Sequence, residues 1–237
     1  MFIPSPGCVL VDADYSQIEL RVLAHIAQDE AMCKAFTEGM DIHAVTASQV
    51  FGVPVEQVTA LQRRHAKAVN FGIVYGISEF SLAEDIGVSR YEAKAYIDSY
   101  LTKYHGVADY MKRVVVQAKS DGYTKTSYGR RRYIPELTSS NYMVRQGAER
   151  IALNTPIQGT AADLIKMAMI RIDKALEKNY PQAKLLLQVH DELIVECPEE
   201  IAPQVAELLS SEMQQVAQLR IPLIAEANWG KTWYEAK

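Results

Sequence analysis

Two apolar, β-branched runs at opposite ends of the chain most constrain its fold. VLVDADY at Val9–Tyr15 reads as a buried strand and LLLQV at Leu185–Val189 as a short strand, and each delivers an aspartate from its end, Asp14 and Asp191. Between them the spacing is helical. Strands at both ends with helices between describe an α+β fold, a sheet carrying a helical insertion. If the two runs share one sheet, Asp14 and Asp191 converge. Two uncompensated carboxylates at close range repel, and a bound cation resolves the repulsion. The plainer reading is a helix-capping aspartate and a turn aspartate, and the residues alone leave both open.

Local signals divide the rest of the chain. Ser16 with Glu19 three residues later has the form of a capping box, and the helix continues through Ile26. Asp41 opens a short helix ending near Phe51-Gly52. Thr59 with Gln62 starts a helix through Tyr75, and Ser89 with Glu92 starts another. Gly106 reads as a break before a helix over Met111–Lys119. Gly122, Gly129 and Pro135 mark a turn-rich β-ribbon. Ser140 to Asn154 is helical, Pro156 interrupts it, and Thr160 to Lys178 forms the next helix. A tight His190-Asp191-Glu192 turn joins the strands Leu185–Val189 and Leu193–Glu196. An amphipathic helix over Glu199–Gln218 and a strand ending near Trp229 complete the chain. No repeat or linker is present.

Charge is unevenly placed. The net charge of −4 is unexpected for a nucleic-acid binder. Residues 1–59 carry 2 basic and 8 acidic side chains, residues 60–132 carry 13 and 7, and residues 133–237 carry 10 and 14. The middle is thus a basic island between acidic flanks, suited to phosphate or else a solvated surface. Within it Arg63, Lys67, Phe71 and Tyr75 recur every fourth residue and form one helical ridge. Arg63 and Lys67 lie in the N-terminal half, where the helix dipole disfavours cations. An anion on that face would account for them; a surface helix with core aromatics is the alternative. Gly72 inside the helix costs about 1 kcal/mol relative to alanine and so points to close approach or bending. Arg150, Asn154 and Gln158 share a second four-residue spacing, with polar groups suited to minor-groove acceptors. Arg130-Arg131-Arg132 reads as a phosphate-facing or solvated turn. Asp12 reads as a local hydrogen-bonding residue, and Glu192 as either a supporting metal ligand or a turn residue. Two carboxylates for divalent metal and a cationic helix for phosphate together suit phosphoryl transfer.

At these residues the chain resembles the family A DNA polymerases, the bacterial DNA polymerase I type. DYSQIEL, the R-x3-K-x3-F-x3-Y ladder and VHDE stand in that family's order as its motifs A, B and C. The resemblance runs from about Phe2 to the last residue. It implies an antiparallel-sheet palm with a helical fingers insertion: palm over 1–35, fingers over 36–134, palm again over 135–237. It implies a template-directed polymerase core that adds dNTPs to a primer 3′-hydroxyl. Asp14, Asp191 and Glu192 would hold two Mg²⁺ ions, with Mn²⁺ as a substitute. Arg63 and Lys67 would grip the triphosphate, and Lys67 would protonate the leaving group. Phe71 would pack on the sugar and Tyr75 near the templating base. Glu19 would block a ribonucleotide 2′-hydroxyl. Arg150, Asn154, Gln158 and His190 would contact primer–template DNA.

The family also carries a thumb, the first palm strands and often an exonuclease-like domain ahead of motif A, none of which these residues match. Phe2 aligns close to the strand leading into motif A, Met1 reads as a new start, and WGKTWYEAK resembles the family's ending. The expectation is a truncated fragment, weak in DNA grip. Its alternative is a catalytically poor nucleotide- or DNA-binding fragment; a two-metal nuclease or phosphatase is the other rival. Cys8, Cys33 and Cys197, odd in number and far apart, suggest reduced thiols in a cytoplasmic protein without structural zinc. No stretch reaches the roughly 20 apolar residues of a membrane span, and the first residues lack the pattern of a secretory signal. No membrane partner is expected.

Overall fold

The computed structural model describes residues 2–237; Met1 lies outside them. In chain order the elements are β1 (Cys8–Tyr15), α1 (Ile18–Ala27), α2 (Glu30–Thr37), α3 (Ile42–Phe51), α4 (Ala60–Val74), α5 (Glu79–Ile86), α6 (Arg90–Lys103), α7 (His105–Asp121), β2 (Tyr123–Lys125), β3 (Arg131–Tyr133), α8 (Tyr142–Asn179), β4 (Lys184–Val189), β5 (Glu192–Pro198), α9 (Ala202–Gln214), β6 (Ala225–Gly230) and α10 (Trp233–Ala236). Residues up to Ile18 form one compact unit with Ala161–Lys237, and Glu19–Thr160 form a second. The expected mixture of helices and antiparallel sheet is present.

In the first unit the strands run in the order β4-β5-β1-β6, every neighbour antiparallel. Alternation along β1 explains its two faces. Val9, Val11, Ala13 and Tyr15 are buried, and the Tyr15 hydroxyl donates to the Met213 carbonyl at 2.7 Å, so this face meets α9. Leu193 and Val195 of β5 pair with Ala13 and Val11 and extend that core. The opposite face carries Asp12 and Asp14, with Glu192 across from Asp14 on β5 and Glu226 and Asn228 across from Asp14 and Asp12 on β6. The expected helix over Glu199–Gln218 is α9, shorter at both ends.

The second unit is helical apart from the β2–β3 ribbon. The boxes at Thr59/Gln62 and Ser89/Glu92 both form. Near Ser16 the helix starts later than expected: Gln17 has a φ of 54° and α1 begins only at Ile18. A first helical residue needs a right-handed backbone, and Gln17 lacks it. Helices α2 and α5 escape the periodic reading because they are short. Each has a side-chain cap, Asp29 and Ser78, and α5 stops at Gly87 in the left-handed conformation.

Of two expected breaks, the one at Gly106 falls two residues earlier, at Tyr104 between α6 and α7, and the one at Pro156 is continuous helix. Gly106 lies in the first turn of α7, where a Cβ would come within 2.8 Å of the Asp29 Cα. Glycine lets Asp29 come close enough for Oδ2 to accept from the Gly106 amide at 2.9 Å. Pro156 sits inside the 38-residue α8. Proline removes the hydrogen bond to the carbonyl four residues back. That carbonyl, on Ala152, accepts instead from the Thr124 hydroxyl of β2 at 3.4 Å. Close packing of the ribbon is visible again at Gly159, where a Cβ would lie 2.5 Å from Thr126 Cγ2.

Candidate active site

The carboxylates of the first unit converge through strand pairing. Asp14 and Glu192 are cross-strand partners, and the Tyr15 amide donates to the Asp191 carbonyl at 3.3 Å. His190, beside them, has a φ of 52°, the left-handed backbone that tightens the β4–β5 turn. Burial, then the charges of Asp191 and Glu192, raise the Asp14 carboxyl from 3.8 to about 6. Such a shift measures repulsion between neighbouring anions in a partly dry setting.

Asp12 is more than the local hydrogen-bonding residue expected from the sequence. It is 4% exposed and accepts from the Trp233 indole N–H at 3.0 Å, across 221 positions of chain. Burial and then the Glu192 charge raise it to about 7. Burial opposes ionisation of Glu192, but the hydrogen bond and charge of Lys237 hold it below the usual carboxylate value. Asp12 Oδ1 and Glu192 Oε2 are both buried without a further partner. A cavity of about 240 Å³ opens on this face, lined by Asp12, Asp14, Ser16, Glu226, Asn228, Ala236 and Lys237. Glu226, Trp233 and Lys237 are absent from the sequence reading. Strict alternation along a last strand could have placed Glu226; nothing local marks the other two.

This donor set fits a divalent cation that takes few protein ligands. Among the described residues no group of three or more His, Cys, Asp or Glu forms a ready-made cage. Two carboxylates at an open cavity match Mg²⁺, which keeps waters and substrate oxygens in its shell.

In the second unit α4 presents the predicted ridge. Arg63, Lys67 and Tyr75 are exposed and Phe71 half-buried, while Ala66, Val69, Asn70, Ile73 and Val74 face inward. Arg63 Nε donates to Asp41 Oδ2 at 2.6 Å, and the Tyr75 hydroxyl donates to Glu19 Oε2 at 2.8 Å. Beneath the ridge lies a buried polar chain missed by sequence. Asn70 Nδ2 and His43 Nδ1 are 3.0 Å apart, and the Thr46 hydroxyl donates to Asn70 Oδ1 at 3.2 Å. Burial pulls His43 down to about 4. The ring of His43 lies 5.9 Å from that of Phe71. Gly72 is a close approach, as expected: a Cβ there would lie 2.7 Å from Ile77 Cγ2. On α8, Arg150 and Gln158 are exposed and Asn154 is half-buried with an unpartnered Oδ1. Arg131 stacks over Tyr123, 4.7 Å from the ring centroid.

Residues 1–235 match the family described as DNA polymerase family A. The chain belongs to that family. It is 52% identical over 238 residues to DNA polymerase I of Streptococcus pneumoniae (strain TIGR4), covering all of this chain and 27% of that protein. It is 52% identical over 237 residues to DNA polymerase I of Geobacillus stearothermophilus, again covering all of this chain and 27% of the relative. A solved structure of the POL domain of Pol1 from M. smegmatis, in complex with DNA primer-template and dNTP, matches with a TM-score of 0.94 at 44% identity. That match covers 99% of this chain and 42% of the other. The chain spans about a quarter of the length of these curated relatives. The family A motifs therefore sit on distinct supports here. Asp14 is on β1, Asp191 is in the turn leading into its partner strand β5, and the ladder of motif B is on a helix face with Arg63, Lys67 and Tyr75 exposed.

Proposed function

We propose that this chain is the palm-and-fingers core of a template-directed DNA polymerase, adding dNTPs to a primer 3′-hydroxyl. The observation that carries the reading is the likeness of nearly the whole chain to a polymerase domain solved with primer–template and dNTP. Residues 1–35 and 135–237 serve as palm and residues 36–134 as fingers. Family A polymerases are metal-dependent nucleotidyltransferases. Asp14 and Asp191 are the carboxylates that hold divalent metal, with Glu192 behind them. Held by Asp14 and Asp191, two Mg²⁺ ions, or Mn²⁺ in their place, would supply activation of the attacking hydroxyl and stabilisation of the departing phosphate.

Arg63 and Lys67 hold the triphosphate, and Lys67 gives its proton to the pyrophosphate as it leaves. The ion pair with Asp41 aims the Arg63 side chain along the ridge. Phe71 packs on the deoxyribose, with His43 and Asn70 fixing its backing. Tyr75 lies near the templating base, and its bond to Glu19 positions that carboxylate as the barrier to a 2′-hydroxyl. Arg150, Asn154, Gln158 and His190 contact primer–template. The three free cysteines accord with a cytoplasmic setting. No helix among the described residues is long and apolar enough to cross a membrane.

A primer-extension gel with Mg²⁺ and four dNTPs tests the reading. Longer products support it. Unchanged primer, despite measurable nucleotide or DNA binding, leaves a binding fragment, a reading favoured by the −4 charge. Shorter products identify a nuclease.

A further inference from the structure

The acidic face of the sheet carries its own cation. Asp12, Asp14, Glu192 and Glu226 share that face, drawn from three adjacent strands. Lys237, just past α10, pairs its ammonium with Glu192 Oε1, while Trp233 donates its indole N–H to Asp12 Oδ2. Both donors come from one short segment, and that segment is firmly seated. Thr232 caps α10 by accepting from the Glu235 amide at 3.2 Å, and the Lys231 amide donates to Glu235 Oε2 at 2.9 Å. The Trp233 ring packs edge-on against Phe2 at 5.5 Å. At Gly230 a Cβ would lie 2.5 Å from Glu235 Cβ and 2.8 Å from its carbonyl carbon. The turn from β6 into α10 is therefore held against the strand by a glycine with no room for a side chain.

The consequence is an asymmetry among the carboxylates. Glu192 is 6% exposed, and one of its oxygens is taken by Lys237. Asp12 is 4% exposed, and one of its oxygens is taken by Trp233. Asp14 is exposed at the cavity. We propose that Lys237 is a positioning residue, a tethered cation that engages Glu192 and leaves Asp14 and Asp191 as the carboxylates open to divalent metal, with Trp233 fixing Asp12 beside them. Lys237 thereby limits the negative charge of the cluster and sets its affinity for metal. A cluster of four anions without this counter-charge would bind metal more tightly. This inference rests on the proposal that the cluster binds divalent cations.

The test uses Mn²⁺ alone, titrated by electron paramagnetic resonance into the whole chain without nucleotide or DNA. Lys237 is 62% exposed on its side chain, so Lys237→Met keeps the fold, which a thermal melt verifies. Removing one positive charge at this range should tighten Mn²⁺ binding about three- to tenfold, after screening by solvent. Lys237→Arg, which retains the charge, should stay within about twofold of the parent. Trp233→Phe should leave the Lys237 effect in place. Unchanged or weaker Mn²⁺ binding in Lys237→Met overturns the inference, provided Asp14→Asn abolishes binding. If Asp14→Asn leaves Mn²⁺ binding intact, the metal reading of the cluster fails and this inference falls with it.

Discussion

The sheet unit and the helical unit handle charge in opposite ways. In the first, Asp12, Asp14, Glu192 and Glu226 crowd one sheet face, where pairing register forces them together. Burial, and then the charge of their neighbours, raises the carboxyl values at Asp12 and Asp14. In the second, Arg63 and Lys67 stand a full turn apart on an exposed helix face, and the polar groups beneath them, His43 and Asn70, are neutral and hydrogen-bonded. Charge on a solvated ridge is inexpensive. Charge on a partly buried face needs a partner, and Lys237 is a partial one. The difference separates a unit whose charges call for a partner from one whose charges are already solvated.

The sharpest way to break this comparison is to remove a carboxylate. Asp14→Ala and Asp191→Ala should each reduce primer extension by about a thousandfold or more, the scale of losing a charge partner of the transition state. Both should melt at or above the parent temperature without metal, because a repelling pair is relieved. Normal extension by either variant with Mg²⁺ would remove that residue from the metal site.

On the ridge the largest expected effect is in the choice of sugar. Phe71 has no hydroxyl to replace a missing substrate 3′-hydroxyl, so dideoxynucleotides should be rejected. Phe71→Tyr should shift the relative incorporation of ddNTP over dNTP by about a hundredfold toward acceptance. Equal ratios in parent and variant would mean that Phe71 does not face the sugar, and the assignment of the whole Arg63–Tyr75 ridge would be abandoned.

A pH series should separate the units without mutation. Asp14 at about 6 and Asp12 at about 7 are raised above their usual value. Protonation stabilises their folded state, so the stability they contribute is full below about pH 4. It is lost as pH climbs through 6 to 7. His43 at about 4 is lowered. Its contribution is present above about pH 6.5 and is lost as pH falls toward 4. Hydrogen-exchange protection in metal-free protein should therefore fall in β1 and β5 between pH 5 and pH 7.5, while in α3 and α4 it should rise. Parallel changes in both units would refute the contrast.

The smallest effect concerns Asp41, which caps α3 by accepting from the His43 and Ala44 amides and pairs with Arg63. Asp41→Ala should cost about 1 kcal/mol of stability in a denaturant titration, nearly all of it from the cap. The half-exposed ion pair contributes a few tenths of that at most. A loss of several kcal/mol would show that the Arg63 pair is worth more than exposed pairs generally are.

Much of the site was legible in the chain because its signals are local. The apolar run VLVDADY determined a strand carrying Asp14 near its end, the boxes at Thr59 and Ser89 determined two helix starts, and the four-residue spacing determined the ridge. Each depends on residues a few positions apart, whose geometry is nearly the same in any fold. The tertiary structure decided the rest. Whether Pro156 ends a helix depended on Thr124, 32 positions earlier, being in reach of the orphaned Ala152 carbonyl. That Gly106 is a point of close approach depended on Asp29, 77 positions earlier. Asp12 acquired its role from Trp233, and Glu192 its counter-charge from Lys237. A buried polar atom must be satisfied, but sequence does not say by which distant group; only the register of strands and the seating of α10 supply the partner.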